Sequence, residues 1–189
     1  RLVGGKPRAT GRTDTERLQN GELVYTGVRR TPVCALLEEA DLGGQACPLA
    51  AEHFATTLDA WLLLEEITED PDCLATADGR PATRRMAQDR LARMLCLDPQ
   101  ELEEKDALSL ARQIALAQEN KICRAIGKVI EQGKPGGAFI SGEGEFLALR
   151  ALQSLGLEDD LVTPMSRACE PAGSEAACAF ALARLAAES

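Results

Sequence analysis

The residues best suited to chemistry lie in a few short segments. The first runs from Gly136 to Ala148, GGAFISGEGEFLA, where an apolar strand-like run passes through Ser141-Gly142-Glu143-Gly144 straight into a helical pattern. The first N–H groups of a helix have no intrahelical partners, and together with the helix dipole they attract phosphate. Glycines at such a turn permit positive φ and close approach of a ligand to the backbone. Glu143 and Glu145 would repel a bare phosphate, so the expected ligand either brings Mg2+ or places a ribose or amine against one carboxylate. The alternative is a plain turn whose glutamates favour the dipole, each worth about 0.3–1 kcal/mol.

The second segment is YTGVRRTP, Tyr25 to Pro32. Arg29 and Arg30 sit just before Thr31-Pro32, a cap and first-turn signature for a helix. Paired guanidinium forks there suit a diphosphate; surface ion pairing is the competing reading. In the third segment, Glu52, Thr56 and Asp59 share one face of a helical stretch. An inward Asp59 would have a raised pKa and would serve as a base or amine ligand, whereas an outward one belongs to a solvated face. Two further features are left open: Gln118 interrupts an apolar seam, as a ligand contact or a satisfied structural glutamine, and Thr76–Arg85 (TADGRPATRR) offers Arg80 and Arg84 as anion ligands or as part of a surface turn. Tyr25, Arg80 and Arg84 are the side chains expected to face substrate.

Composition narrows the partners. A net charge of −9 argues against a nucleic-acid surface, which needs clustered cations. No run approaches the roughly 18 apolar residues of a membrane span, and no signal-peptide pattern opens the chain. A cytoplasmic protein acting on a small phosphorylated molecule is therefore expected. Seven cysteines without a C-x-x-C pair (Cys34, Cys47, Cys73, Cys96, Cys123, Cys169 and Cys178) read as reduced, mostly buried thiols. Cys47 and His53 match no usual zinc spacing, and no metal site is expected from the protein alone.

The elements that must position these residues can be read from periodicity. Residues 4–21 are polar, with four glycines, and read as a loop; Glu22–Tyr25 reads as a short strand. A helix through Val33, Leu36 and Leu37 is expected after Thr31, fading at Asp41-Leu42-Gly43-Gly44. Phe54, Leu58, Trp61 and Leu62 form a helical stripe, and Thr83 caps a helix burying Met86, Leu91, Met94 and Leu95. Asp98-Pro99 opens a short helix. Leu108, Ala111, Ala115, Gln118, Ile122, Ala125 and Val129 mark a long helix over 107–132, stopped by Gly133-Lys134-Pro135. Strands at Ala138–Ile140 and Leu161-Val162 follow, separated by a helix from Glu145. An Ala-rich helix from Ser174 to Ala187 closes the chain, turning Ala177, Phe180, Ala181 and Arg184 inward.

These blocks in this order, ELVYTGVRRTPVCAL, EHFATTLDAWLLL, TADGRPATRRMAQDRLARMLCLD and GGAFISGEGEFLALRAL, resemble the C-terminal part of the hydantoinase/oxoprolinase-like proteins of tetrahydromethanopterin-linked one-carbon metabolism. The resemblance covers the chain from about Gly21 to Leu185. It implies an α/β fold, the second lobe of an actin-like or acetate-and-sugar-kinase ATPase, with α/β parts at 1–44 and 134–189 and a helical insertion at 45–133. It further implies Mg2+, and ATP in kinase-like members. The implied reaction belongs to methanofuran or methylofuran biosynthesis: the phenol of γ-glutamyltyramine is joined to an aminomethylfuran-methanol diphosphate and pyrophosphate leaves. Relatives carry a D-x-G-G loop and a D-x-G-S/T-T-T motif ahead of the YTG block, and neither occurs here. An N-terminal lobe is therefore expected from upstream sequence, from a partner chain or from a second copy.

Overall fold

The computed structural model describes residues 2–131, 133, 135–168 and 171–188. Lys134 and Cys169 lie outside the described residues. The chain divides into two compact units, Thr26–Gln118 and the combination of residues 1–25 with 119–189. The division thus falls at 25/26 and 118/119 instead of 44/45 and 133/134. The stretch expected as a helical insertion also contains a strand.

Within the unit Thr26–Gln118, a 3-10 turn covers Val33–Ala35. Strands β3 (Glu39–Leu42) and β4 (Gln45–Pro48), numbered after the short pair β1 (Leu2–Val3) and β2 (Lys6–Pro7), form an antiparallel hairpin. Its register pairs Leu42 with Gln45, so Gly43 and Gly44 are the whole loop, and both have positive φ. That is a primed turn, whose twist matches the strands and which glycine alone enters freely. The expected helix through Leu37 is thus replaced by one 3-10 turn and a hairpin. Helix α2 (Thr57–Leu63, after α1 at Asp14–Gln19) is buried along its entire length. Phe54 lies outside it and is exposed, so the anticipated stripe begins one turn later. Helix α3 (Arg84–Met94) starts at Thr83, whose hydroxyl accepts the Met86 N–H, and buries Leu91 and Met94 fully while Met86 is half-buried. Asp98–Glu101 is a turn in which the Glu101 carboxylate accepts the Asp98 N–H, with no helix there. Helix α4 (Glu104–Glu131) buries Ala107, Leu110, Ala111, Ile114, Ala115 and Gln118, a face of i, i+3, i+4 spacing. Leu108 stands one position off that face, and Val129 is exposed.

The unit's core holds a buried charge network. Arg90 of α3 has no exposed surface, and its guanidinium lies 2.7 Å from Asp59 Oδ1 of α2 and 3.1 Å from Asp78 Oδ1. Asp59 Oδ2 accepts the Thr56 N–H at 2.9 Å, which ties the carboxylate to the start of α2. Asp78 also takes Arg80 Nε at 2.6 Å, and Arg80 reaches Asp89 at 3.0 Å. Burial raises the Asp59 pKa to about 6, outweighing the opposing pull of Arg90 and of the Thr56 N–H.

The second unit is built on a parallel pair, β5 (Ala138–Ile140) and β6 (Val162–Pro164), joined through α5 (Glu145–Ser154). Ile140, Leu152 and Val162 form its small core, with Ile126, Ala148, Leu149 and Leu157 packed around it. Phe139, on the opposite strand face, is exposed. Residues 14–19, expected as loop, are α1, opened by a capping box in which Thr13 and Glu16 bond reciprocally. Glu22–Tyr25 is not a strand; the Glu22 carboxylate instead accepts the Thr10 and Gly11 N–H groups, each at 2.8 Å. After α6 (Met165–Ala168) and α7 (Pro171–Glu175), helix α8 (Ala177–Glu188) leaves Phe180, Leu182 and Leu185 exposed, in place of the inward face expected. The six described cysteines are free and none is fully buried. No described helix is long and apolar enough to cross a membrane.

Helices α2, α3 and α5 end alike. In each, two N–H groups beyond the C-cap bond back to the last turn, as Cys96 to Arg93 and Leu97 to Ala92 do in α3. The left-handed position is Gly156 after α5, but Glu65 (φ 61°) after α2 and Cys96 (φ 56°) after α3. An L side chain there costs roughly 1 kcal/mol. Cys96→Gly is expected to raise the unfolding free energy by somewhat under about 1 kcal/mol in urea titration. A second expectation concerns pH. Because the folded Asp59 holds its proton up to about pH 6, whereas an unfolded Asp does so only to about 4, the proton favours the folded state. That contribution is complete below about pH 4 and lost as pH rises through about 6. Relative to Asp59→Asn, wild-type stability should fall across that interval, and parallel stability curves would refute it.

Candidate functional site

In open α/β structures ligands settle beyond the carboxyl ends of parallel strands. At that end of β5 the chain turns through Ser141-Gly142-Glu143-Gly144 and enters α5 with Gly144 as its cap. Gly142 has φ of 98°, which a side chain would strain. At the same end of β6 stands Ser166. The Glu145 carboxylate accepts the Ser166 N–H at 3.1 Å and the hydroxyls of Ser166 and Ser174. Ser174, nearly inaccessible on α7, also accepts the Gly142 N–H at 3.1 Å. Partial burial pushes the Glu145 pKa up, but the hydrogen bonds from Ser166 and Ser174 outweigh it and hold the carboxyl below its ordinary value.

The turn is therefore present where the sequence placed it, with different wiring. The Gly142 N–H, expected to face a phosphate, is held by Ser174. Glu145, expected to face a metal or an amine, is held by two serines. Glu143 and Ser141 are exposed. Ser166 was findable in principle, since it follows the second strand of a parallel pair; Ser174 sits 32 residues from Gly142 and carries no local signal.

Tyr25 to Pro32 is a second constellation, and its turn lies wholly within the other unit. Thr31 does not cap a helix. Its hydroxyl accepts the Gly27 N–H at 2.9 Å and donates to the Gly27 carbonyl at 3.2 Å, closing the turn on itself. The Gly27 carbonyl also accepts the Thr57 hydroxyl at 2.7 Å and the Gln118 amide at 2.9 Å. Gln118 donates to the Thr26 hydroxyl at 3.0 Å and accepts the Trp61 indole N–H at 2.8 Å. The Thr26 and Thr31 hydroxyls are 3.0 Å apart; with Thr31 donating to Gly27, Thr26 is the donor between them. Arg30 is exposed, Arg29 is half-buried and engaged, and Tyr25, just ahead of the turn, is 76% exposed.

The remaining candidates are absorbed elsewhere. Asp59 faces inward to Arg90 and has no exposed surface, so both of its oxygens are spent within the fold. Arg80 pairs with Asp78 and Asp89, and Arg84 with Glu65 at 2.6 Å. His53 is exposed, and the described residues contain no group of three His, Cys, Asp or Glu able to hold a metal. Mg2+ usually keeps several waters and binds through one or two carboxylates plus substrate phosphates, and Glu145 is already committed to serines. Among the described residues, no set of protein donors forms a Mg2+ cage. An apolar hollow of about 420 Å³ lies at the opposite end of β5, lined by Ile126, Val129, Ile130, Gly137 and Leu157 among others.

Ser174→Ala would strip the Gly142 N–H and the Glu145 carboxylate of one partner each. The expected loss is about 1–3 kcal/mol of stability, read by urea unfolding, because a group left unsatisfied costs its desolvation. Ser166→Ala, at an exposed hydroxyl, should cost less.

Comparison with known proteins agrees with the blocks that carry the turn segments. The hydantoinase/oxoprolinase family matches residues 3–189. A Methanococcus vannielii protein named (4-{4-[2-(gamma-L-glutamylamino)ethyl]phenoxymethyl}furan-2-yl)methanamine synthase is 32% identical over 154 residues, 82% of this chain and 69% of that protein. The protein of the same name from Methanocaldococcus jannaschii is 30% identical over 141 residues, 75% of this chain and 43% of that protein. The matched part is thus less than half of the longer relative. With a family match along nearly its whole length, the chain belongs to the hydantoinase/oxoprolinase family, whose fold is of the actin-like ATPase type.

Proposed function

We propose that this chain is part of a synthase that forms an aryl ether in methanofuran-type cofactor biosynthesis. In the reaction, the phenol oxygen of γ-glutamyltyramine attacks the methylene carbon of an aminomethylfuran-methanol diphosphate. The carbon–oxygen bond to the diphosphate breaks, pyrophosphate departs with the bonding pair, and the phenol proton passes to solvent or a base. The observation that carries this reading is the 154-residue match to a protein named for that ether product.

The geometry supports it through charge and rigidity. The leaving group is strongly anionic, and catalysis favours donors fixed in place before charge develops on it. Arg29 and Arg30 lie in a turn whose backbone is bonded by three buried side chains, Thr31, Thr57 and Gln118. Mg2+ is assigned to the diphosphate itself. In this reading the chain forms the second lobe of the fold, acts in the cytoplasm, and works beside an N-terminal lobe that supplies the acidic phosphate loops.

The test incubates the full-length protein with both substrates and Mg2+, following the ether by mass spectrometry and pyrophosphate by a coupled assay. Equimolar ether and pyrophosphate are expected. ATP hydrolysis without ether would point to hydantoinase-like or kinase-like chemistry instead. Arg29→Gln with Arg30→Gln should weaken Mg2+–pyrophosphate binding at least about tenfold, or 1.4 kcal/mol, while shifting the Tm little; equal losses in both would make the pair structural.

A further inference from the structure

We propose that Gln118 is a positioning residue for the diphosphate-binding turn, acting from the interior of α4 through the Gly27 carbonyl. This inference rests on the reading of Arg29 and Arg30 given above. Gln118 has no exposed surface and cannot touch a ligand. All the same, three hydrogen bonds engage its amide: Trp61 Nε1–H on its oxygen, and Thr26 Oγ1 and the Gly27 carbonyl on its nitrogen. No apolar side chain of that volume could substitute without leaving the indole N–H, a hydroxyl and a carbonyl short of partners.

The arrangement has one direction of consequence. Trp61 belongs to α2 and Gln118 to α4, both rigid elements of the unit's core, whereas Thr26 and Gly27 begin an irregular turn. A turn without regular hydrogen bonding is held only by such anchors. Here the Gly27 carbonyl receives Gln118 and Thr57 from the two helices and Thr31 from within the turn. Gly27, two residues ahead of Arg29, is therefore the point at which core geometry sets where the guanidinium-bearing backbone runs. A binding group held loosely spends part of its binding free energy on being ordered; a group held beforehand does not.

The experiment measures Mg2+–pyrophosphate affinity by calorimetry on the full-length protein, well below each variant's Tm. Gln118→Met removes all three bonds at similar volume, and Thr57→Val removes one donor from Gly27 if the first variant fails to fold. Ile114→Val, on the same buried face of α4, controls for lost stability alone. Gln118→Met is expected to weaken pyrophosphate about tenfold, Thr57→Val less, and Ile114→Val not at all. In the Arg29→Gln/Arg30→Gln background, Gln118→Met should add no further loss, because it acts through those arginines. If the arginine variant binds weakly but Gln118→Met and Thr57→Val both bind like wild type, the positioning role is overturned and the arginine site stands. If the arginine variant itself binds like wild type, the site and the inference fall together.

Discussion

A guanidinium without any contact to water is the constraint on which the unit Thr26–Gln118 depends. Removing Arg90 from solvent is expensive unless its charge and its donors are met within the fold. Asp59 and Asp78 meet its charge from two different segments, one at the start of α2 and one in the turn before α3. Each carboxylate then has a second duty: Asp59 binds the Thr56 N–H, and Asp78 binds Arg80. The network therefore specifies the relative placement of α2, α3 and the Asp78–Pro81 turn, which dispersion among Leu58, Leu62 and Leu91 alone would leave less sharply defined. Its cost shows in Asp59, whose carboxyl is pushed toward the neutral form by burial despite a cation at hydrogen-bond distance.

The same unit holds an irregular turn with core side chains. Helix α2 contributes Thr57 and Trp61, and α4 contributes Gln118, so the Gly27 carbonyl is bonded from two directions. Fixing such a segment by buried polar groups requires that every member be satisfied, since a lone unsatisfied group would be destabilising. The second unit solves a similar problem differently. Its glycine-rich turn is closed by side-chain hydroxyls from the segments after β6, and the Glu145 charge is spread over two of them. The two loops thus have different supports, one reaching inward to a packed core and the other along the strand ends.

Much of this was legible in the sequence. The long helix, the Thr83-capped helix, the strand–turn–helix at Gly136–Ala148 and the final strand all lie close to where periodicity and capping residues placed them. The failures share a cause. Glu22–Tyr25 has the composition of a strand but pairs with no strand among the described residues, and its glutamate is recruited to close the preceding loop. Gly43-Gly44 looks like a fading helix until β3 and β4 pair across it, when it becomes a two-residue primed turn. Thr31-Pro32 has the letters of a helix start, yet the threonine hydroxyl finds a nearer partner in Gly27.

Local chemistry along the chain, then, determined which segments could be helical and where several of the turns fall, because propensity, capping and hydrophobic period act over a few residues; the family was legible separately, in the resemblance of the ordered sequence blocks. The tertiary structure decided what each polar side chain does. Asp59 became the counter-ion of a residue 31 positions away, Gln118 the anchor of a turn 91 positions away, and Ser174 the partner of Gly142 across 32. Burial creates these roles: a polar group denied water must take whichever partner the packed chain brings within about 3 Å, and spacing along the sequence does not say which partner that is.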